Sequence, residues 1–417
     1  MPQTLAEKIL SRHAGHKVVA GEIVVVPVDG TMATDATAPF AIQAFRNMGG
    51  ERVWDAKRVA LILDHATPAP NERVANLHQM MRDFASEQDI KLYDVGEGIC
   101  HQLMVENGHV RHGDVFLGAD SHTPTYGALG AFAVGVGSTD AAAVWLTGQT
   151  WLKVPHSIRV VINGDLPQGV SAKDVILHLA GQVTVSGAVY ESIEFAGSTV
   201  AAMTLASRMT LANMVAEMGA KTGIVEVDGL DLSDVEEVLS ADSNANYRQT
   251  IHIDVSNLRP QIALPHSPDR IRPIDTMLGT KIDAAFIGSC TNSRLEDLHA
   301  AADVLRDKQV KIRLIIAPAS RRVFNAALAD GTIAILSEAG AAFITSGCGP
   351  CVGTHQGVPG NGEAVISSTN RNFQGRMGNP NASIYLASPA VVAAAALTGE
   401  ITDPATLYSD LRLRLPE

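Results

Sequence analysis

The sequence predicts a layered α/β protein made of three consecutive domains. Short apolar runs recur along the chain, and each ends in polar or ionisable residues. Amphipathic segments of helical period separate these runs. Alternation of this kind buries parallel strands between helices, and open α/β sheets place their ligands beyond the carboxyl ends of the strands.

Taken in order, "RVALILDHATP" carries a strand, Val59 to Leu63, that delivers Asp64 and His65. "NERVANLHQMMRDFASEQ" follows with apolar residues at three- and four-residue spacing, a helix. In "DVFLGADSHTPT" the run Val115 to Leu117 delivers Asp120, Ser121 and His122. "VPHSIRVVINGDLPQGVSAKDVILHLAGQV" opens a new strand, turn and helix, and "NLRPQIALPHSPDRIRP" is proline-rich connecting chain. Three further strand ends follow: "AAFIGSCTNSR" at Cys290, "AAFITSGCGPC" at Cys348 and Cys351, and "EAVISSTNRNFQGR" at Asn370, Arg371 and Arg376. Between the first two of these, "SRLEDLHAAADVLRDK" reads as a helix. The expected domains are 1–154, 155–249 and 250–417, with five strand ends facing one cleft.

Bulk properties bound the function. The chain has 417 residues, 46% hydrophobic and 18% charged, so it can bury several cores. A formal net charge of -12 leaves no general basic surface for a phosphate backbone, so nucleic acid is not an expected partner. No run approaches the roughly 18 apolar residues of a membrane span, and "MPQTLAEKIL" lacks a basic stretch followed by an apolar core. A cytoplasmic location is the expectation.

Four cysteines in a chain this long favour metal or redox chemistry over a disulfide framework. Each alone could be a small buried hydrophobe. A structural zinc site would need a fourth ligand, for which His355 is a candidate. A C-x-x-C redox pair is a further alternative, although such pairs usually open a helix in a thioredoxin-like unit. An iron-sulfur reading uses Cys290, Cys348 and Cys351 together. Three ligands for four irons would leave one iron open for catalysis, and Cys100 could close it.

Eight motifs in order resemble the aconitase superfamily, and within it the large subunits of two-subunit isopropylmalate dehydratases and homoaconitases. They are "DATAP" at 35–39, "DH" at 64–65, "GICHQ" at 98–102, "ADSHTPTYGALG" at 119–130, "NMVAEMGAKTG" at 213–223, "GSCTNSRLEDL" at 288–298, "CGPCVG" at 348–353 and "NRNFQGRMG" at 370–378. The match runs nearly end to end. "GVGSTD" at 135–140 mimics part of a dinucleotide fingerprint without its full spacing and is discounted.

The resemblance implies an aconitase-like fold, three layered α/β/α domains around an iron-sulfur cleft. It implies one 4Fe-4S cluster on Cys290, Cys348 and Cys351, with one iron not ligated by cysteine and Cys100 a bystander. Asp64 with His65, His101 with Asp120, and His122 with Glu217 are the implied acid and base pairs. Asn213 and Asn370 are implied to hydrogen-bond the cluster, and Thr34, Ser121, Arg371 and Arg376 to bind substrate. His78, His109, His112 and His299 fit no motif and read as surface or packing residues.

The implied reaction is reversible elimination and addition of water, interconverting 2-isopropylmalate and 3-isopropylmalate in leucine biosynthesis. Homoaconitate, dimethylmalate and maleate or citraconate hydratases are alternatives, because Thr34 stands where aconitases usually carry glutamine and isopropylmalate enzymes histidine. A swivelling fourth domain with a catalytic serine base is expected on a separate small subunit. An iron sensor that binds RNA and a zinc-stabilised scaffold are readings from other classes. The acidic balance argues against the first, and the second leaves the Asp64, His65, Asp120 and His122 set without a use.

Overall fold

The computed structural model describes residues 2–231 and 237–408. The chain folds into two compact units: Met1–Val95, Cys100–Gly164 and Ser186–Asp254 form the first, and Gly96–Ile99, Asp165–Val185 and Val255–Glu417 the second.

The first unit is built on a five-stranded sheet in the order Lys91–Tyr93, Val59–Ile62, Gly30–Thr34, Val115–Gly118, Phe132–Gly135. Every pairing is parallel. "VALI" and "VFLG" are buried at every position, as strands covered on both faces must be. One face packs on Ala38–Asn47, Glu72–Gln88 and Ser138–Thr147, where Phe45, Phe84 and Trp145 form an aromatic cluster with ring centroids 5.8 to 6.4 Å apart. Leu5–Ala14 covers the other through Leu5, Ile9 and Leu10. The strand first in sequence lies at the centre, and the chain adds neighbours on one side before crossing to the other. That reversal opens the crevice where doubly wound sheets bind ligands, beyond the ends of Gly30–Thr34 and Val115–Gly118. Asp35 and Asp120 follow those two ends.

A second parallel sheet in the same unit has the order Thr222–Val225, Ser192–Ala196, Ser157–Asn163, Gln249–Asp254.

The second unit holds a seven-stranded sheet in the order Ile271–Pro273, Gln261–Ala263, Ser383–Leu386, Ala364–Ser367, Ala284–Ile287, Arg313–Ile316, Ala342–Phe343. Five of its strands are parallel, and the two at one edge join through antiparallel pairings. The helix Pro389–Thr398 is apolar almost all round and buried over eight successive residues, as a helix without a polar face must be. Ala172–Val183 begins with a capping box in which Ser171 and Asp174 satisfy each other's backbone N–H.

The helix expected at 71–88 is observed as Glu72–Gln88 with Asn71 as its cap, and that expected at 293–308 as Leu295–Leu305. We retain three α/β domains as a proposal with one domain per large sheet. On that division the second boundary follows Asp254, because Gln249–Asp254 pairs along its whole length with Ser157–Asn163.

Candidate active site

The first unit gathers the ionisable residues at the carboxyl ends of its strands. Asp64 is fully buried; its Oδ2 accepts from the backbone N–H of Cys100 at 2.7 Å, and its Oδ1 lies 2.8 Å from His65 Nδ1. The other ring nitrogen, His65 Nε2, lies 3.3 Å from Asp120 Oδ2. Ionised carboxylates only accept, so a ring placed between two of them is satisfied at both nitrogens only as the imidazolium.

Asp120 is the hub. Its Oδ1 faces His101 Nε2 at 2.7 Å and accepts from the backbone N–H of His122 at 2.8 Å. Burial raises its pKa, yet His101, His122 and His65 together hold it well below the usual carboxylate range. His101 Nδ1 is 3.1 Å from the buried Tyr126 hydroxyl, which fixes the ring's orientation. His122 Nε2 pairs with Glu217 Oε1 at 2.8 Å, both buried. Each of the three pairs expected from sequence is therefore in hydrogen-bond contact, and Asp120 joins two of them.

Asn213 donates to Thr125 Oγ1 at 2.8 Å, and that hydroxyl donates to the His122 carbonyl at 2.6 Å. Ser121 is exposed. Thr34 is fully buried, its hydroxyl 3.3 Å from that of Thr37.

The second unit carries the cysteines. Cys290, Cys348 and Cys351 are buried and form no disulfide. Asn370 Nδ2 donates to Cys290 Sγ at 3.4 Å, while Cys351 Sγ lies 3.8 Å from Asn370 Oδ1. One amide thus reaches two thiols that are 61 positions apart (351 − 290). Arg376 Nη2 is 4.0 Å from Cys351 Sγ. The loops of Cys351 and Asn370 meet backbone to backbone: a Cβ at Gly353, which has φ +71°, would come within 2.2 Å of Gly378 N. Only glycine allows that approach. Before Cys290, Ser289 holds φ +99°, a strained conformation for a side-chain-bearing residue.

Behind these loops lie two buried cations that the sequence did not flag. Lys173 Nζ donates to the carbonyls of Ser368 and Thr369 at 2.8 and 2.6 Å, and burial pushes its pKa down to about 7. Arg294 donates from Nη2 to the Cys290 carbonyl at 2.6 Å and from Nη1 to that of Thr291 at 2.7 Å. The Ser368 hydroxyl lies 3.0 Å from the Asn292 carbonyl and accepts from the Gly288 N–H, tying the Asn370 loop to the Cys290 loop. His355 bonds Thr354 through Nδ1 at 2.9 Å. Arg371 and Arg376 are half-buried.

Three buried thiols outside any disulfide, with N–H donors aimed at two of the sulfurs, fit an iron-sulfur cluster. Tyr126 and Arg294 lie inside the motifs "ADSHTPTYGALG" and "GSCTNSRLEDL", which was the available signal for them. Lys173 had none, because its partners are backbone carbonyls 195 and 196 positions away.

The first unit holds linked imidazole–carboxylate pairs and the second a thiol set suited to a metal cluster, and the family and dehydratase-named relatives mark the chain as a hydro-lyase. The sequence matches the Aconitase family (aconitate hydratase) over residues 7–280 and 273–399. The chain belongs to the aconitase family, whose members generally bind a 4Fe-4S cluster. It is 49% identical over 414 residues to 3-isopropylmalate dehydratase large subunit 1 of Methanopyrus kandleri, covering 97% of this chain and 99% of that one. The large subunit 1 of the same name from Thermotoga maritima is 48% identical over 416 residues, covering 97% and 99%. A probable methanogen homoaconitase large subunit of Methanosarcina mazei is 48% identical over 385 residues, covering 90% and 98%. The crystal structure of Thermococcus kodakaraensis aconitase X in its holo-form covers 88% of this chain and 89% of its own, with a TM-score of 0.53 and 14% identity, and supports the fold. Among the described residues no helix is long and apolar enough to cross a membrane.

Proposed function

We propose that the chain is the large subunit of a 4Fe-4S hydro-lyase that interconverts 2-isopropylmalate and 3-isopropylmalate by dehydration and rehydration, in the cytoplasm, as part of leucine biosynthesis. The observation that carries this reading is the near full-length identity to 3-isopropylmalate dehydratase large subunits, joined to the three buried thiols. Homoaconitase is the second reading, favoured by a relative of that name at 48% identity. The "large subunit" in the relatives' names supports a separate small subunit, to which we assign the swivel domain and the serine base.

Cys290, Cys348 and Cys351 would hold the cluster, and Asn370, whose Nδ2 donates to Cys290 Sγ, would hydrogen-bond toward it, while Asn213 secures Thr125 beside the His122 pair. When bound, the cluster supplies Lewis acidity from one iron that no cysteine ligates. His65, kept protonated between Asp64 and Asp120, holds the proton for the departing hydroxyl. His101 is oriented by Asp120 and Tyr126, and His122 by Glu217, so that each keeps one tautomer through the water transfer. Arg371 and Arg376 hold substrate carboxylates, for which the guanidinium fork is suited, and Ser121 adds a hydroxyl. Thr34, its hydroxyl turned to Thr37, contributes shape to the substrate pocket rather than a charge-assisted hydrogen bond.

The test is anaerobic reconstitution with the small subunit, iron and sulfide analysis, and assays of dehydration of isopropylmalate, homocitrate and dimethylmalate and of hydration of maleate. Iron and sulfide in equal amounts with turnover of isopropylmalate is the expected result. Turnover of homocitrate alone would favour the second reading. Zinc or no metal, with no turnover of any acid, would overturn both.

A further inference from the structure

Asp35 directly follows the central strand Gly30–Thr34, and its side chain is 1% exposed. Its Oδ1 accepts from the backbone N–H groups of Asp64 at 3.1 Å and His65 at 2.8 Å. Its Oδ2 accepts from the N–H of Ala66 at 2.8 Å and lies 3.2 Å from His78 Nε2. Three successive amides of the turn that presents Asp64 and His65 therefore converge on one carboxylate. A run of consecutive N–H groups forms an anion-binding concavity, and here the anion is built into the chain. His78, on Glu72–Gln88, is 2% exposed and supplies the fourth donor.

Burial opposes the charge on Asp35, but the hydrogen bond from His78, the nearby His65 and the backbone donors bring its pKa down to about 2. An amide in its place would turn an NH2 group toward at least one of these N–H donors. An unsatisfied buried donor is costly, and the turn would have to shift to avoid it.

We propose that Asp35 and His78 are positioning residues for His65: the Asp35 carboxylate gathers the three amides that set the Asp64–His65 turn, and His78 holds that carboxylate in place. The inference rests on reading His65 as the proton donor. His65 has Asp64, Asp120 and Asp35 around its ring, with Asp35 Oδ1 at 3.8 Å from Nδ1, so a small rotation changes which carboxylate each nitrogen meets. His78 faces Asp35, and the charge of Asp94, which Arg82 pairs, lies near it.

The experiment compares Asp35→Asn, His78→Leu and His78→Gln in the reconstituted holoenzyme, normalised to iron content, beside 13C-histidine NMR of His65. Asp35→Asn and His78→Leu should lower kcat by about 10- to 100-fold, the usual cost of losing an orienting partner, with KM within about two-fold. Glutamine can still donate to Asp35, so His78→Gln should recover most of kcat. The His65 resonance should move in the first two variants and stay in place in the third. The proposal is overturned if folded Asp35→Asn and His78→Leu leave the His65 signal and kcat unchanged, or if His78→Gln is as impaired as His78→Leu. If Asp35→Asn does not fold, the His78 pair decides. The NMR signal needs neither substrate nor partner, so a wild-type enzyme without turnover would count against the proposed function and leave the positioning test readable.

Discussion

Replacing Asp120 by asparagine tests the hub of the imidazole–carboxylate set. The carboxylate meets His101 Nε2 at 2.7 Å and His65 Nε2 at 3.3 Å and accepts from the His122 N–H at 2.8 Å. Hydrogen bonds to charged groups contribute about 1.5–3 kcal/mol each, and removing one partner of a buried ion pair costs about 3–5 kcal/mol. Asparagine keeps one acceptor and sets an NH2 group against a second ring, so we expect a loss of about 3–5 kcal/mol in the first unit. Glu217→Gln, which alters a single pair, should cost about 1–2 kcal/mol. All three tryptophans, Trp54, Trp145 and Trp151, lie in that unit, so tryptophan fluorescence during urea denaturation follows it. Because the Asp120 pKa is depressed in the folded state, its contribution is fully present above the ordinary carboxylate pKa and is lost as pH falls through the lower folded value. The gap between wild type and variant should therefore not shrink between pH 7 and about pH 5. A gap below about 1 kcal/mol, one no larger than that of Glu217→Gln, or one that closes between those pH values would refute the hub.

Other outcomes follow from the same geometry. Burial raises the Asp114 pKa to about 6, so its ionised form costs stability, absent near pH 4 and complete above pH 6. Asp114→Asn should accordingly stabilise the chain by about 1–3 kcal/mol at pH 8 and by nothing near pH 4; equal effects at both would contradict this. Cys290→Ser should abolish iron and sulfide incorporation, whereas Cys100→Ser should leave both unchanged; loss in the second variant would make Cys100 a ligand. Lys173→Met leaves the Ser368 and Thr369 carbonyls without their buried donor, each worth about 1–3 kcal/mol. Iron release to a chelator should then be faster than from wild type, and an unchanged release rate would show that Lys173 does not brace the Asn370 loop.

Much of the molecule was legible in the order of residues. A run such as "VALI" or "VFLG" must be a covered strand, because four consecutive apolar residues have no polar face to offer water. The polar residues after each run then fall at strand ends, which is why Asp64, His65, Asp120 and the three cysteines could be named beforehand. Helix limits were nearly as clear, as at Asn71, whose side chain accepts from Val74 N.

The partnerships were not legible. That His65 touches both Asp64 and Asp120 depends on the central place of Gly30–Thr34 and on the crossing to Val115–Gly118, and periodicity does not encode strand order. His78 looked like packing because its acceptor lies 43 positions away on a different strand end. The partner of the Thr34 hydroxyl, Thr37, was equally hidden, because position in a motif says nothing of where a hydroxyl turns. The sequence by itself determined which side chains could do chemistry and on which kind of element they stand, because burial and periodicity are local. Only the tertiary structure decided which acceptor each donor meets, because hydrogen bonds act over about 3 Å and sheet order alone brings distant strand ends that close.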